Sequence, residues 1–269
     1  AYHSSKGELP INPTLGDNRL FDDFINAGLS LGLPANDDFN GENQEGVGRY
    51  HVNIQGGMRF GTSRAFLDPI KKDPNLTIEV NMEVEKILFD GKRAVGIKAS
   101  RKGKTFEFYS NKEVILSAGS LKSPQLLMVS GVGDTTLLKR LNIPLVKDLP
   151  GVGQNLQDHI SFLFNYRCNL PITLNAVATN PLKKIKVAID YFFFKKGIGT
   201  QNSLEAGGFW FSNKNLAVPD IQLHFMPGLM YNMTDALPKE HGVSVRSCNL
   251  TPHSRGYVSI DSADGKADP

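Results

Sequence analysis

An apolar triplet that runs into four small residues and then into a helical segment constrains this chain more than any other stretch. Val114-Ile115-Leu116 is a continuous apolar run of the kind found in strands buried on both faces. Ser117-Ala118-Gly119-Ser120 follows at once, and Ser123 to Val129 continues as an apolar helical segment. A strand, a tight small-residue turn and a helix bring backbone amides close to a phosphate or a ribose. The order predicts an α/β fold, with α+β character in the segments on either side.

Those segments read as follows. Leu20, Phe21, Phe24, Ile25 and Leu29 recur at three and four residues, so Gly16 to Leu33 is an amphipathic helix. Asp17 or Asn18 can cap it, and Gly32 with Pro34 ends it. The Gly- and Asn-rich stretch from Asp37 to Gly57 reads as loop, and Gly61 to Ile70 as a short helix. Leu76 to Val80 and Val84 to Phe89 read as strands, and Asp90-Gly91-Lys92 carries a hairpin signal into Ala94 to Ser100. Thr105 to Tyr109 completes a small antiparallel meander. Past Gly151-Val152-Gly153 the character changes. Phe209 to Phe211, Ile221 to Phe225, Val243 to Val245 and Tyr257 to Ile260 read as strands, with one amphipathic helix over Pro181 to Phe194. An antiparallel sheet with helices on one face fits that pattern. The boundary falls near Asp158, as a change of layer without a spacer, giving residues 1–158 and 159–269.

Composition narrows the partners. Net charge is +3, and the basic residues are scattered apart from pairs such as Lys71-Lys72, Lys183-Lys184 and Lys195-Lys196. That is no phosphate-neutralising face, and no nucleic-acid partner is expected. Cys168 and Cys248 read as two separate core thiols, with a disulfide between them as the alternative, and there is no Cys/His spacing for a metal. Few cysteines make an intracellular compartment the default. The most apolar window, Val187 to Phe194, is too short to span a bilayer and is flanked by lysines, so only peripheral membrane association stays open.

The segment Gly119-Ser120-Leu121-Lys122-Ser123-Pro124-Gln125-Leu126-Leu127-Met128-Val129-Ser130-Gly131-Val132-Gly133 resembles the second signature of the glucose–methanol–choline (GMC) family of FAD-dependent oxidoreductases. Gly61-Thr62-Ser63-Arg64-Ala65-Phe66-Leu67, Leu149 to His159, Glu205 to Phe209, Pro219 to Phe225 and Ser254-Arg255-Gly256 resemble further stretches of it. Asn165-Tyr166-Arg167-Cys168, Pro171 to Leu174, Gly197-Ile198-Gly199 and Lys239-Glu240-His241-Gly242 are most similar to choline dehydrogenases. Thr251-Pro252-His253 departs from the usual pattern before Ser-Arg-Gly, which leaves aliphatic alcohols open as substrates.

The resemblance implies part of a Rossmann-like FAD domain over 1–158 and part of a substrate domain over 159–269. It implies oxidation of a primary alcohol, choline first, with hydride passing to flavin N5. The electron acceptor stays open. The family's opening GxGxxG fingerprint has no counterpart here, and its catalytic histidine is expected beyond residue 269, so the chain reads as a middle portion that is inactive alone. A naturally short, non-catalytic binding protein is the other class.

By the same resemblance, the Val84 backbone pairs with the adenine edge, and Ala118 and Gly119 let the chain approach the adenosine half. Glu205 would face a quaternary ammonium, and His241 would hydrogen-bond the substrate oxygen. The competing readings are a strand valine, an unliganded turn, a salt-bridged glutamate and a surface histidine. His224 reads as a core histidine, and Asp158-His159 as packing.

Overall fold

The computed structural model describes residues 2–14, 16–232 and 236–269. The chain divides into two compact units, Ala1–Leu76 with His159–Thr251, and Thr77–Asp158 with Pro252–Pro269. The first unit opens with β1 (Asn12–Pro13), α1 (Arg19–Ser30), β2 (Gly46–Arg49), β3 (His51–Val52), β4 (Ile54–Gln55) and β5 (Met58–Arg59). The second takes β6 (Glu83–Asp90), β7 (Arg93–Arg101), β8 (Lys104–Tyr109), α2 (Gly119–Val129), β9 (Val132–Gly133), α3 (Thr135–Arg140), β10 (Lys147–Asp148) and β11 (Gln154–Leu156). The first unit resumes with β12 (Ser161–Arg167), α4 (Leu174–Ala178), α5 (Pro181–Phe194), β13 (Ala206–Trp210), β14 (Ile221–Met226) and β15 (Gly242–Asn249). β16 (Gly256–Tyr257) returns to the second unit.

A five-stranded antiparallel sheet, in the order β12-β15-β14-β13-β2, carries the first unit. Alternation sends Ala206, Phe225 and Val245, which lie in register, to one face. There they enclose Phe21 of α1, with Leu20, Phe24 and Ile25 around it. Phe24 stacks on Phe225 at 4.7 Å and Phe21 meets it edge-on at 5.9 Å. The helix begins where expected: the Asn18 side chain accepts the Leu20 N–H at 3.0 Å. On the opposite face Tyr50 lies 5.7 Å from the His224 ring. Burial pushes the Tyr50 hydroxyl up to about 12. Burial first, and then the Arg246 charge, hold His224 below the ordinary histidine range. His224 is half-buried on that face, not fully enclosed in the core.

The second unit holds the three-stranded meander β6-β7-β8 and the short parallel pair β9-β10. Its core is Met128, Val129, Leu138, Ile143 and Ile260. Ser130, buried at the end of α2, ties helix to sheet. Its Oγ donates to the Leu126 carbonyl and accepts the Ile87 N–H at 2.8 Å. Ser130→Ala leaves that buried amide unpaired and should cost about 1–3 kcal/mol. An unaltered denaturant midpoint would show that the bond contributes nothing.

Several elements differ from expectation. Val114-Ile115-Leu116 joins no ladder among the described residues, and Ile115 is 79% exposed. An apolar run becomes a buried strand only where neighbouring strands pair with it, and no described segment does. Leu76 to Val80 is likewise outside every ladder, with Val80 62% exposed. The helix expected over 61–70 is one π-helical turn, Ser63–Leu67, and the strand expected over 257–260 shrinks to Gly256–Tyr257. The presumed loop over 37–57 contains β2, β3 and β4. Its glycines mark close backbone approach: a Cβ on Gly48 would lie 1.9 Å from the Asn36 carbonyl oxygen. The chain changes unit at Asp158, but residues 1–76 group with 159–251 because β2 pairs with β13. Cys168 and Cys248 are free thiols, but only Cys248 is buried; Cys168, just past the end of an edge strand, is half-buried and not in the core.

Candidate functional site

In the second unit, Val84 sits near the start of β6, half-buried and paired with Ala99. β6 is an edge strand, so some of its backbone N–H and C=O groups point away from β7. The Ile87 N–H is one, and Ser130 takes it. The register shifts between Val84 and Lys86, which interrupts the ladder beside Val84.

Ala118 and Gly119 are exposed and form the entry to α2. Gly119 has φ 83°, a conformation that favours glycine, and a Cβ there would meet nothing within 4 Å. The Ala118 N–H donates to Ser123 Oγ at 3.1 Å. No side chain caps α2, so its first amides keep their donors for another acceptor. An open, side-chain-poor turn beside exposed amides can receive a polar, partly anionic ligand.

In the first unit, Glu205 immediately precedes β13 and is 1% exposed. Oε1 accepts the Asn202 N–H at 2.9 Å, while Oε2 has no hydrogen-bond partner among the described residues. Oε2 is aimed at Gly16, where a Cβ would approach it to 1.7 Å. Arg49, which reaches Gly16, forms its ion pair with Asp22. Its guanidinium donates to the Gly16 carbonyl at 2.8 Å and to Asp22 at 2.6 Å. Glu205 borders a cavity of about 350 Å³ lined by Asn12, Pro13, Val52, Ile54 and Thr200, among others. A buried carboxylate with an unpaired oxygen on a largely apolar cavity is costly unless a cation or a proton meets it.

His241 immediately precedes β15 and is half-buried. Its Nδ1 lies 3.0 Å from Oγ1 of buried Thr173. That bond fixes the ring, and its direction decides which nitrogen carries the proton. Asn175 steadies the approach to His241. Its side chain donates to the Leu229 and Pro238 carbonyls at 3.1 and 2.9 Å and accepts the Leu229 N–H at 2.7 Å.

β13 and β15 run in the same direction on either side of β14, so Glu205 and His241 come to the same end of the sheet. Val84, Ala118 and Gly119 share the second unit. Gly16, Thr173 and Asn175 escaped the sequence reading, because nothing in local pattern announces a partner far along the chain. Among the described residues no three His, Cys, Asp or Glu side chains gather as a metal site.

Comparisons of the sequence and the fold with known proteins converge on one group. A family model described as GMC oxidoreductase matches residues 1–161. The chain is 40% identical over 271 residues to an oxygen-dependent choline dehydrogenase of Chromohalobacter salexigens, covering all of this chain and 48% of that protein. The same identity and coverage hold for an oxygen-dependent choline dehydrogenase of Pectobacterium carotovorum. The chain thus spans about half the length of the curated relatives it matches. Among solved structures, the formate oxidase of Aspergillus oryzae superposes with a TM-score of 0.87 at 25% identity, over 99% of this chain and 51% of that one. An FAD-dependent oxidoreductase of Chaetomium thermophilum gives 0.84 at 25% identity, over 98% and 52%.

Proposed function

From the premise that this chain belongs to the GMC oxidoreductase family, we propose that it forms a cofactor wall and part of the substrate pocket of an enzyme oxidising choline to its aldehyde. The observation that carries the substrate is a buried glutamate, Glu205, that lines a largely apolar cavity and whose Oε2 has no hydrogen-bond partner among the described residues. A quaternary ammonium has no N–H to donate, and is held by a desolvated carboxylate or an aromatic face. Choline would bring the positive charge that Glu205 lacks. An aliphatic alcohol is the second reading, favoured by the Pro13, Val52 and Ile54 lining of the same cavity.

FAD is the cofactor of this family, and the second unit suits its adenosine half. Backbone groups of Val84 on an edge strand would meet the adenine edge. The turn at Ala118 and Gly119 would let the chain pass close to it. Bound FAD supplies the acceptor for the hydride that leaves the alcohol carbon, at flavin N5. The chain's own residues bind and orient. Glu205 holds the cationic end, and His241, fixed through Nδ1 by Thr173, turns Nε2 towards the hydroxyl oxygen. On the family resemblance, the base that accepts the hydroxyl proton is assigned to a histidine outside residues 1–269.

The test is the visible spectrum of the natural full-length product, without oxygen, before and after choline. Bleaching of a flavin band by choline is expected. A band bleached by an aliphatic alcohol but not by choline would replace the substrate. The absence of any flavin band would overturn the enzymatic reading and leave a binding protein.

A further inference from the structure

We propose that Thr173 is a positioning residue that holds His241 in the tautomer with its proton on Nε2. His241 then meets the alcohol oxygen as a hydrogen-bond donor and not as a base. This deepens the reading of His241 as a pocket residue and rests on it.

Thr173 stands just before the first turn of α4, with φ −84° and ψ 162°. A threonine in that place ordinarily accepts an N–H of the first turn through its hydroxyl. Here it makes no such cap. Its Oγ1 lies instead 3.0 Å from Nδ1 of His241, 68 positions along the chain, and Thr173 is 2% exposed. A helix start that forgoes its own cap for a distant imidazole has its hydroxyl given over to that ring.

The direction of the bond follows from what each atom has left to give. A hydroxyl carries one proton to donate, and a buried one is costly to leave without an acceptor. Among the described residues Nδ1 is the acceptor that the Thr173 hydroxyl meets, and it meets no other. A neutral imidazole has one N–H, so a ring that accepts at Nδ1 carries its proton on Nε2. The reverse arrangement, with Nδ1–H donating to Oγ1, would strand the hydroxyl proton in the interior. Nε2 meets no partner among the described residues and keeps its N–H for a ligand.

Both partners are held from outside the pair. The His241 carbonyl accepts the Cys168 N–H at 3.0 Å, which extends the pairing of β12 with β15 by one residue. On the other side, the Ile172 carbonyl accepts from the Asn18 side chain at 2.8 Å, and the Leu174 N–H donates to the Pro227 carbonyl at 2.7 Å. Neither the hydroxyl nor the ring can be carried away without breaking a bond of its backbone.

A fixed donor has a defined use. As the hydroxyl proton leaves the alcohol for the base assigned outside residues 1–269, negative charge grows on the alcohol oxygen. An N–H aimed at that oxygen strengthens with the charge. His241 keeps its own proton throughout, so loss of its orientation should weaken turnover more than binding.

The test uses the natural full-length protein with 15N in its histidine rings, the His241 signals being assigned by their absence from His241→Ala. We expect a proton-bearing Nε2 and an unprotonated, hydrogen-bonded Nδ1 at neutral pH. Thr173→Val keeps the shape and removes the hydroxyl. It should move the Nδ1 signal and lower kcat about tenfold for the alcohol that bleaches the flavin, with KM changed less than about threefold. Thr173→Ser should restore both, and circular dichroism should be unchanged in either variant. A proton on Nδ1 in the wild type overturns the proposal, as does a Thr173→Val enzyme with wild-type kcat. Either result leaves His241 in the pocket where His241→Ala still lowers kcat about a hundredfold. A His241→Ala enzyme with wild-type kcat and KM overturns the pocket reading, and the proposal falls with it.

Discussion

Replacing Glu205 by Gln should raise the KM for choline about a hundredfold in the full-length enzyme, while 3,3-dimethylbutan-1-ol, its uncharged isostere, shifts by less than about threefold. Glutamine keeps the shape and can still accept the Asn202 N–H through its amide oxygen. What it loses is the carboxylate of a residue that lines the cavity. Folding should be intact, because glutamine matches glutamate in size and keeps the bond to Asn202. Steady-state kinetics on both substrates, with a melting curve of the substrate-free protein, give the answer. Equal losses for both substrates, with a lower melting temperature, would make Glu205 a structural residue.

A comparable loss, in stability, is expected from Gly207→Ala. β13 is an interior strand, and a Cβ on Gly207 would lie 2.1 Å from the Leu223 carbonyl oxygen and 2.3 Å from the Tyr50 hydroxyl. That hydroxyl is buried and donates to the same Leu223 carbonyl at 2.5 Å, so it cannot yield without losing its partner. The overpacking should cost about 3 kcal/mol. Gly7→Ala, where a Cβ meets nothing within 4 Å, is the control and should leave the midpoint in place. Matching midpoints for the two variants would show that the sheet opens without penalty.

Legibility followed the range of the interactions. The apolar stripe of α1 and its Asn18 cap were readable because both are local patterns. The meander β6-β7-β8 was readable because short turns fix its register. β2 was missed: Gly46 and Gly48 look like loop until a distant strand, β13, pairs with them. Val114 to Leu116 failed for the opposite reason, since a strand-like run needs partners that no described segment provides. At the site, Glu205 could be singled out by resemblance, but its unpaired oxygen depends on Gly16, and the fixed ring of His241 on Thr173. Those pairings are tertiary facts, invisible to any window of sequence.

The discontinuity of both units has a consequence for synthesis. β16 pairs with β11, the Val258 N–H donates to the Gly153 carbonyl at 2.7 Å, and Lys266 meets Glu85 at 2.9 Å. Residues 77–158 therefore leave the ribosome without the segment that completes their unit, and must wait while 159–251 are made. At ~5–20 residues per second that wait is on the order of ten seconds. β2, made earlier still, waits for β13 through the first half of that interval. Two unfinished apolar surfaces thus coexist on one nascent chain, the circumstance in which chaperone supply, more than final stability, sets the yield of folded protein.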